Sequence, residues 1–392
     1  MFEAVIVDAV RTPMGKRNGS LANEHPVDLL GNVLKTIVER NEIDPETIDD
    51  VIVGCVDQVD EQSSNIARNA VLAAGLPISV AGVTIDRQCG SSLQAVQFAA
   101  QGVMAGGYDI VIAAGIESMS RVPIGSSARE GKTPMTESLY DRFKLQGYGF
   151  NQFAGAEIIA HEIGLTRERI EAYSALSHKR AYAAQQNGHF DNEIIPIEVT
   201  DAEGKLWTFA KDETIRPETS VEKLATLKPV YEGLRTVTPG TSSQISDGAS
   251  AVLIASKDAA EKYGLKQRAR FVAFSIVGSD PVAMLKGPAL ATEKVLQKAG
   301  LTKEDIDLVE INEAFASVVL RWEHEVGIPL EKVNVNGGAI ALGHALGSTG
   351  TRLVATLLNE LERRKERYGL ITICEGPGMA NGVIIERIEE EN

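Results

Sequence analysis

Apolar residues fall along this chain in two spacings that alternate. Short unbroken runs at Val51 to Val56, Ile110 to Ala114, Ala251 to Ala255, Leu308 to Ile311 and Leu370 to Ile373 have the length of buried strands. Between them lie longer stretches, such as Leu29 to Arg40 and Thr292 to Ala299, whose apolar residues share one face of a helix. This alternation predicts an α/β fold. From about residue 121 to 245 the regularity drops. Gly125-Ser126-Ser127, the cluster Gly147-Tyr148-Gly149-Phe150 and several prolines here accompany a helical stretch from Arg167 to Asn187. A segment of this length is too long for an ordinary loop and predicts a lid or specificity subdomain.

The two regular regions resemble each other. Tyr108 through Met119 aligns with Tyr368 through Met379, 260 positions on, and Ile43 through Val53 aligns with Leu301 through Ile311, 258 positions on. Each copy has an acidic turn, then Ile-Asp, then an apolar strand. Two matches at nearly one offset indicate a duplicated α/β unit. The expected organisation is an N-terminal half of residues 1–120 with 245–267, an insert of residues 121–244, and a C-terminal half of residues 268–392.

Composition narrows the function classes. The chain has 392 residues, 44% hydrophobic and 24% charged, and a formal net charge of −15. That charge argues against nucleic acid or an anionic membrane as a general partner. Three cysteines make no disulfide framework for such a length, so a reducing, cytoplasmic setting is expected. The start, Met1 to Asp8, holds an acid within its apolar run and no basic segment before it, and reads as a first strand rather than a signal peptide. No run reaches the ~20 apolar residues of a membrane span.

Cys89 stands where the strand-like Val80 to Ile85 meets an Ala- and Gln-rich helical segment, within Asp86-Arg87-Gln88-Cys89-Gly90-Ser91-Ser92-Leu93. A thiol at a helix N-terminus faces unpaired N–H groups and the positive end of the helix dipole, which favours a nucleophilic thiolate. A small packed core residue is the alternative. Three further segments place a reactive side chain beside flexible or strand-end backbone. Asn312-Glu313-Ala314-Phe315-Ala316 follows a strand, and Asn312 also suits the N-cap of the next helix. His344 has five glycines around it in the segment Gly337 to Gly350. Cys374 follows the strand Leu370 to Ile373 in Cys374-Glu375-Gly376-Pro377-Gly378, at the position matching Ala114 in the repeat. These residues lack the short spacings of a zinc site, and Cys55 lies in a strand-like run. No phosphate-loop pattern follows a strand.

Together these segments resemble the thiolase family over essentially the whole chain. Arg11-Thr12-Pro13-x-Gly15 is similar to its N-terminal motif, and Arg87-Gln88-Cys89 with Ser92-Leu93-Gln94-Ala95 to its nucleophile segment. Asn312-Glu313-Ala314-Phe315, Gly343-His344 and Cys374-x-Gly376-x-Gly378 resemble its other signatures in order and spacing. The resemblance implies two duplicated halves in a five-layer αβαβα arrangement with an inserted loop subdomain. It implies an acyltransferase with ping-pong kinetics, in which Cys89 accepts the acyl group as a thioester and His344 removes its proton. Cys374 would exchange a proton with the α-carbon of acetyl-CoA. His344 with a water held by Asn312 would form one oxyanion site, and the backbone N–H groups of Cys89 and Gly376 the other. Coenzyme A is implied as a substrate, contacted by Arg216, Ser243, Ala314 and Phe315; no cofactor or metal is implied, and a homodimer or homotetramer is. Residues near 121 to 145 would form a subunit contact.

The Arg-Gln-Cys form resembles degradative 3-oxoacyl-CoA thiolases of lipid β-oxidation. Lys16-Arg17-Asn18-Gly19 and Asn151-Gln152-Phe153 resemble those acting on bulky, steroid-derived acyl groups. Three departures from the family pattern bear on detail. Ala345 stands where proline is usual, which would loosen the loop after His344. Pro377 replaces a glycine without removing the Gly376 N–H. Asn151 replaces a histidine beside the acyl tunnel. Competing readings are a biosynthetic acetyl-CoA C-acetyltransferase, a decarboxylating condensing enzyme, and a silent CoA-binding subunit of a lipid-oxidation complex. Cys374 and Asn312 speak against the second, and the presence of all four reactive residues against the third.

Overall fold

In a computed structural model, residues 2–128, 132–147, 149–200 and 203–389 are described. Tyr148 of the 147–150 cluster and residues 129–131 of the proposed contact lie outside them. The first region runs through β1 (Ala4–Arg11), β2 (Gly15–Lys16), α1 (Pro26–Arg40), β3 (Asp50–Gly54), α2 (Ile66–Ala73), β4 (Val83–Ile85), α3 (Ser91–Met104) and β5 (Ile110–Ser118). Then come α4 (Glu137–Phe143), α5 (Gln152–Glu162), α6 (Arg167–Gln186), the ribbon β6 (Ile197–Thr200) and β7 (Leu206–Phe209), and α7 (Val221–Ala225). The chain returns through β8 (Ser246–Ser256), α8 (Lys257–Tyr263), β9 (Ala269–Gly278), α9 (Gly287–Ala299), β10 (Leu308–Ile311) and α10 (Ala316–Val326). It ends with α11 (Ala339–Leu342), α12 (Thr349–Arg364), β11 (Tyr368–Glu375) and β12 (Met379–Arg387). None of these helices is long and apolar enough to cross a membrane.

The main sheet has the order β10-β11-β12-β9-β1-β8-β5-β3-β4, with β2 beside β8. Its centre is thin: β9 and β1 share only the pairs Val5 with Arg270 and Ile6 with Ala269. On either side of that seam the pattern repeats. Strand β3 runs parallel to β5, which is followed by antiparallel β8 and β1; β10 runs parallel to β11, followed by antiparallel β12 and β9. Both β1 and β9 carry a register shift against their outer neighbour.

Strand alternation sends the side chains of each half of this sheet, the first sheet from β4 to β1 and the second from β9 to β10, to two faces. The buried residues accordingly form three main apolar layers, besides a small cluster of α6 and α11 residues around Phe190. One lies between the first sheet and α1, α2 and α8, and another between the second sheet and α9 and α10. The third lies between the sheets and holds Leu93, Val96 and Val103 of α3 with Leu353, Leu357 and Leu361 of α12. Helix, sheet, paired helices, sheet, helix is the five-layer αβαβα order.

The register corrects the repeat alignment by two residues. Asp49 accepts from the backbone N–H groups of Asp109 and Ile110 at 2.6 and 3.1 Å, and Asp307 from those of Arg367 and Tyr368 at 3.0 and 2.8 Å. The pairing Asp50 with Val111 recurs as Leu308 with Gly369. Both strand pairs therefore superpose at one offset, 258, making Ile110 the counterpart of Tyr368 and Ile116, not Ala114, the counterpart of Cys374. A two-residue slip keeps every side chain on its own face, so the hydrophobic pattern alone could not expose it.

Candidate active site

Four segments meet at the C-terminal ends of β10 and β11 and the N-termini of α3 and α12. Two contacts bring the helix starts together. The Thr351 N–H donates to Ser92 Oγ at 3.1 Å, and a Cβ on Gly350 would fall 2.0 Å from the Leu93 nitrogen, so the two helices cross in near backbone contact. Asn381 of β12 donates from Nδ2 to the Gly90 carbonyl at 3.1 Å, tying the turn that carries Cys89 to the second sheet. Beside Cys374, the Asn312 N–H bonds to the Thr372 carbonyl at 3.1 Å.

Cys89 immediately precedes Gly90, the N-cap of α3, and is partly exposed, whereas Asn312, His344 and Cys374 are buried. The helix end does not by itself prepare a thiolate. Burial first, then the carboxylate of Glu375, pushes the Cys89 thiol up to about 12. Cys374 is raised well above its ordinary value by burial, then by the Cys89 charge, so the two thiols sense each other. Two anions together in this buried pocket are disfavoured.

His344 has a defined tautomer. Its Nδ1 lies 2.7 Å from Thr349 Oγ1, and that hydroxyl is 2.9 Å from the Ala345 carbonyl. The carbonyl can only accept, so the hydroxyl proton points there and its oxygen takes the Nδ1–H. Asn312 Nδ2 stands 3.4 Å from Nε2, an N–H facing a ring lone pair, which agrees with this assignment. Burial, helped by the Arg352 charge, lowers the imidazole to about 3. The ring is neutral and Nε2 is free to act as a base. The loop that presents it needs glycine at 343, where φ is +90° and a Cβ would fall 2.0 Å from Ser246 Oγ. Ala345 adopts φ −71°, close to the value a proline ring imposes, so the bound-in loop geometry is kept without it. A Thr349→Val change leaves the Nδ1–H unpaired; kcat/KM should drop roughly 10- to 100-fold with KM little changed. Steady-state kinetics with unaltered parameters would contradict this tautomer.

Asn312 is not a helix cap. Helix α10 begins at Ala316 with Phe315 before it, and Asn312 Oδ1 has no partner among the described residues. Its neighbour Glu313 accepts from Tyr173 and Ser177 hydroxyls, both at 2.7 Å, and from the Ile340 N–H at 3.0 Å. Nor does Cys55 sit in its strand: β3 ends at Gly54, and the Cys55 thiol faces Glu117 at 3.9 Å. Glu117 in turn accepts from the Gly347 N–H at 2.8 Å and so anchors the far end of the histidine loop.

Three of the residues proposed to bind CoA, Ser243, Ala314 and Phe315, lie together beside the histidine loop. The Ser243 N–H bonds to the Ala314 carbonyl at 3.0 Å, and Ala314 and Phe315 are nearly buried. Arg216 is exposed and reaches Gln244 Oε1 at 3.2 Å. Gln244, which no motif marks, donates to Ile340 O at 2.8 Å, and its carbonyl takes the His344 N–H at 2.9 Å. Phe315 also joins an aromatic cluster with two residues of the 121–244 stretch. Phe153 meets Phe315 and Tyr231 edge-on, with centroids 5.5 and 5.2 Å apart. Asn151, the residue read as replacing a histidine of the family pattern, accepts from the Phe153 and Ala154 N–H groups and caps α5, which fixes where Phe153 points.

Comparison with known proteins agrees with this architecture over its whole length. Residues 4–258 match the family model for the thiolase N-terminal domain, and residues 265–387 that for the thiolase C-terminal domain. The steroid 3-ketoacyl-CoA thiolase FadA6 of Mycobacterium tuberculosis is 50% identical over 99% of this chain and 95% of its own. A 3-ketoacyl-CoA thiolase of Vibrio cholerae is 44% identical over 99% of this chain and all of its own. Among solved structures, the Bacillus anthracis acetyl-CoA acetyltransferase and human mitochondrial 3-ketoacyl-CoA thiolase superpose with a TM-score of 0.90 each. They are 37% and 36% identical, with 99% of both chains covered in each pair. A duplicated five-layer fold, a cysteine at the start of one central helix, and a histidine loop at the start of the other thus place this chain in the thiolase family.

Proposed function

We propose that the protein cleaves 3-oxoacyl-CoA with free CoA, releasing acetyl-CoA and an acyl-CoA shortened by two carbons, through a thioester on Cys89. The observation that carries this reading is the setting of His344, with Nδ1 on the Thr349 hydroxyl, Nε2 beside Asn312, and the start of α12 held against the start of α3. Cys89 Sγ attacks the 3-oxo carbon while its proton passes to His344 Nε2, so the thiol need not ionise in advance. The alkoxide is received by the Cys89 and Gly376 N–H groups. Its collapse breaks the C2–C3 bond and leaves the electron pair on the acetyl-CoA enolate. His344, now carrying the Nε2 proton, donates to the enolate oxygen together with a water held by Asn312. A proton from Cys374 completes the α-carbon. CoA then gives its thiol proton to Cys374 and its sulfur attacks the thioester; departing Cys89 recovers its proton from His344.

The aromatic cluster of Phe153, Phe315 and Tyr231, and the similarity to a steroid thiolase, support acyl groups larger than acetyl. Arg216, Ser243, Ala314 and Phe315 would bind CoA. The three domain segments, 1–120 with 245–267, 121–244 and 268–392, would serve as two catalytic halves and a substrate-facing insert. Three free cysteines support a reducing, cytoplasmic setting, and assembly as a homodimer or homotetramer is part of the reading. Purified protein given a bulky or medium-chain 3-oxoacyl-CoA and CoA should consume the substrate's Mg²⁺-enolate absorbance faster than it does with acetoacetyl-CoA. Failure to turn over any of these substrates would refute the proposal.

A further inference from the structure

Glu375 follows Cys374 on β11, and strand alternation turns its side chain to the opposite face, inward toward the start of α3. It is fully buried, and neither carboxyl oxygen has a hydrogen-bond partner. The carboxyl presses on the turn that carries the nucleophile: a Cβ on Gly90 would fall 1.9 Å from Oε1 and 2.9 Å from Asn381 Nδ2. Asn381 gives its amide to the Gly90 carbonyl instead, and its own Oδ1 is unpartnered. The charged and titratable groups around this carboxyl are Arg87, Asp86 and Cys89 on that turn and Cys374 on its own strand. Arg87 keeps a buried, unpartnered Nε. The pocket thus sets several groups able to bear negative charge against one cation.

We infer that Glu375 is a charge gate: as a neutral acid it leaves room for one negative charge, and once ionised it suppresses thiolate formation at Cys89 and Cys374. The inference rests on the roles proposed above for the two thiols. In that cycle a single negative charge, accompanied by the proton held on His344, passes from the alkoxide to the enolate and then to Cys374, and the thiols are never ionised together. An ionised Glu375 would add a second charge at each of these stages. Burial, reinforced by Asp86 and opposed by Arg87, raises the carboxyl to about 8. It is therefore neutral below that pH and ionised above it, so suppression sets in on the alkaline side. No sequence motif marks the position, because the family signature leaves it open between Cys374 and Gly376.

The test is the rate of Cys89 alkylation by iodoacetamide in the intact, ligand-free protein, mapped by mass spectrometry from about pH 6 to about pH 10, alongside cleavage activity over the same range. In the wild type, alkylation should lag at alkaline pH. Glu375→Gln should alkylate faster there, by about tenfold for each pKa unit by which the Cys89 thiol falls, and lose the alkaline decline in kcat/KM. Arg87→Gln, which keeps the carboxyl but removes its cation, should move the decline to higher pH. Superimposable alkylation curves for wild type and Glu375→Gln would overturn the inference. So would activity lost equally at every pH with alkylation unchanged. If Glu375→Gln does not fold, an unmoved decline in Arg87→Gln overturns it. Because alkylation needs no acyl-CoA, an error in the acyl-acceptor assignment would show separately, as failure of acyl-CoA to label Cys89.

Discussion

Cys89→Ala should lower cleavage of 3-oxoacyl-CoA by ~10⁴-fold or more, because it removes the atom to which the acyl group is transferred. The loss should fall on kcat, with substrate binding little affected, since the residues proposed to bind CoA, Arg216, Ser243, Ala314 and Phe315, are untouched. The fold should survive. Cys89 is partly exposed and only borders the central apolar layer, so alanine there removes one sulfur atom from the edge of that layer and leaves its centre filled. Measuring kcat and KM together with the far-UV CD spectrum would separate chemistry from unfolding. Retention of more than a few per cent of wild-type kcat would contradict the nucleophile assignment.

Cys374→Ala should behave differently. The acyl group can still reach Cys89 from a simple acyl-CoA, though more slowly, because a CoA thiolate is a good enough leaving group to depart without the proton that Cys374 would give it. Cleavage of 3-oxoacyl-CoA should nevertheless fall roughly 10²- to 10⁴-fold, the range for loss of a placed general acid. Burial holds this thiol protonated until an enolate arrives. The telling readout is exchange of the acetyl-CoA methyl protons with deuterated solvent, followed by NMR. Exchange should vanish in this variant; exchange at the wild-type rate would remove Cys374 from the acid–base role.

Much of this was legible in the sequence, and what was not has physical reasons. Runs such as Ile110 to Ala114 and Leu370 to Ile373 fell within β5 and β11 because both faces of those strands are buried, so an unbroken apolar run is what the fold demands. The αβαβα layering was not contained in those runs. It depends on α3 and α12 pairing between the sheets, a contact made possible at Gly350. The offset of 260 rested on Tyr108 and Tyr368, whereas the structure aligns the copies through Asp49 and Asp307, whose carboxylates hold the neighbouring strand.

At the site, the four reactive residues stood out because each lies beside glycine or a strand end. Their supports did not. Thr349 fixes the imidazole tautomer, Gln244 holds the loop backbone, and Glu117 anchors its far end, yet each is an ordinary polar residue in sequence. The helix-dipole argument for a Cys89 thiolate was outweighed by burial and by Glu375, which lies some 286 positions away along the chain. Nothing local to Cys89 could have shown that.

The central claim is that Cys89 carries the acyl group. Protein incubated with an acyl-CoA, quenched in acid and digested, should show by mass spectrometry one acyl group per chain, on the peptide containing Cys89. The same label should appear in Cys374→Ala and be absent from Cys89→Ala. Acylation of Cys374 in the wild type, or none at all in a protein that turns over 3-oxoacyl-CoA, would contradict it.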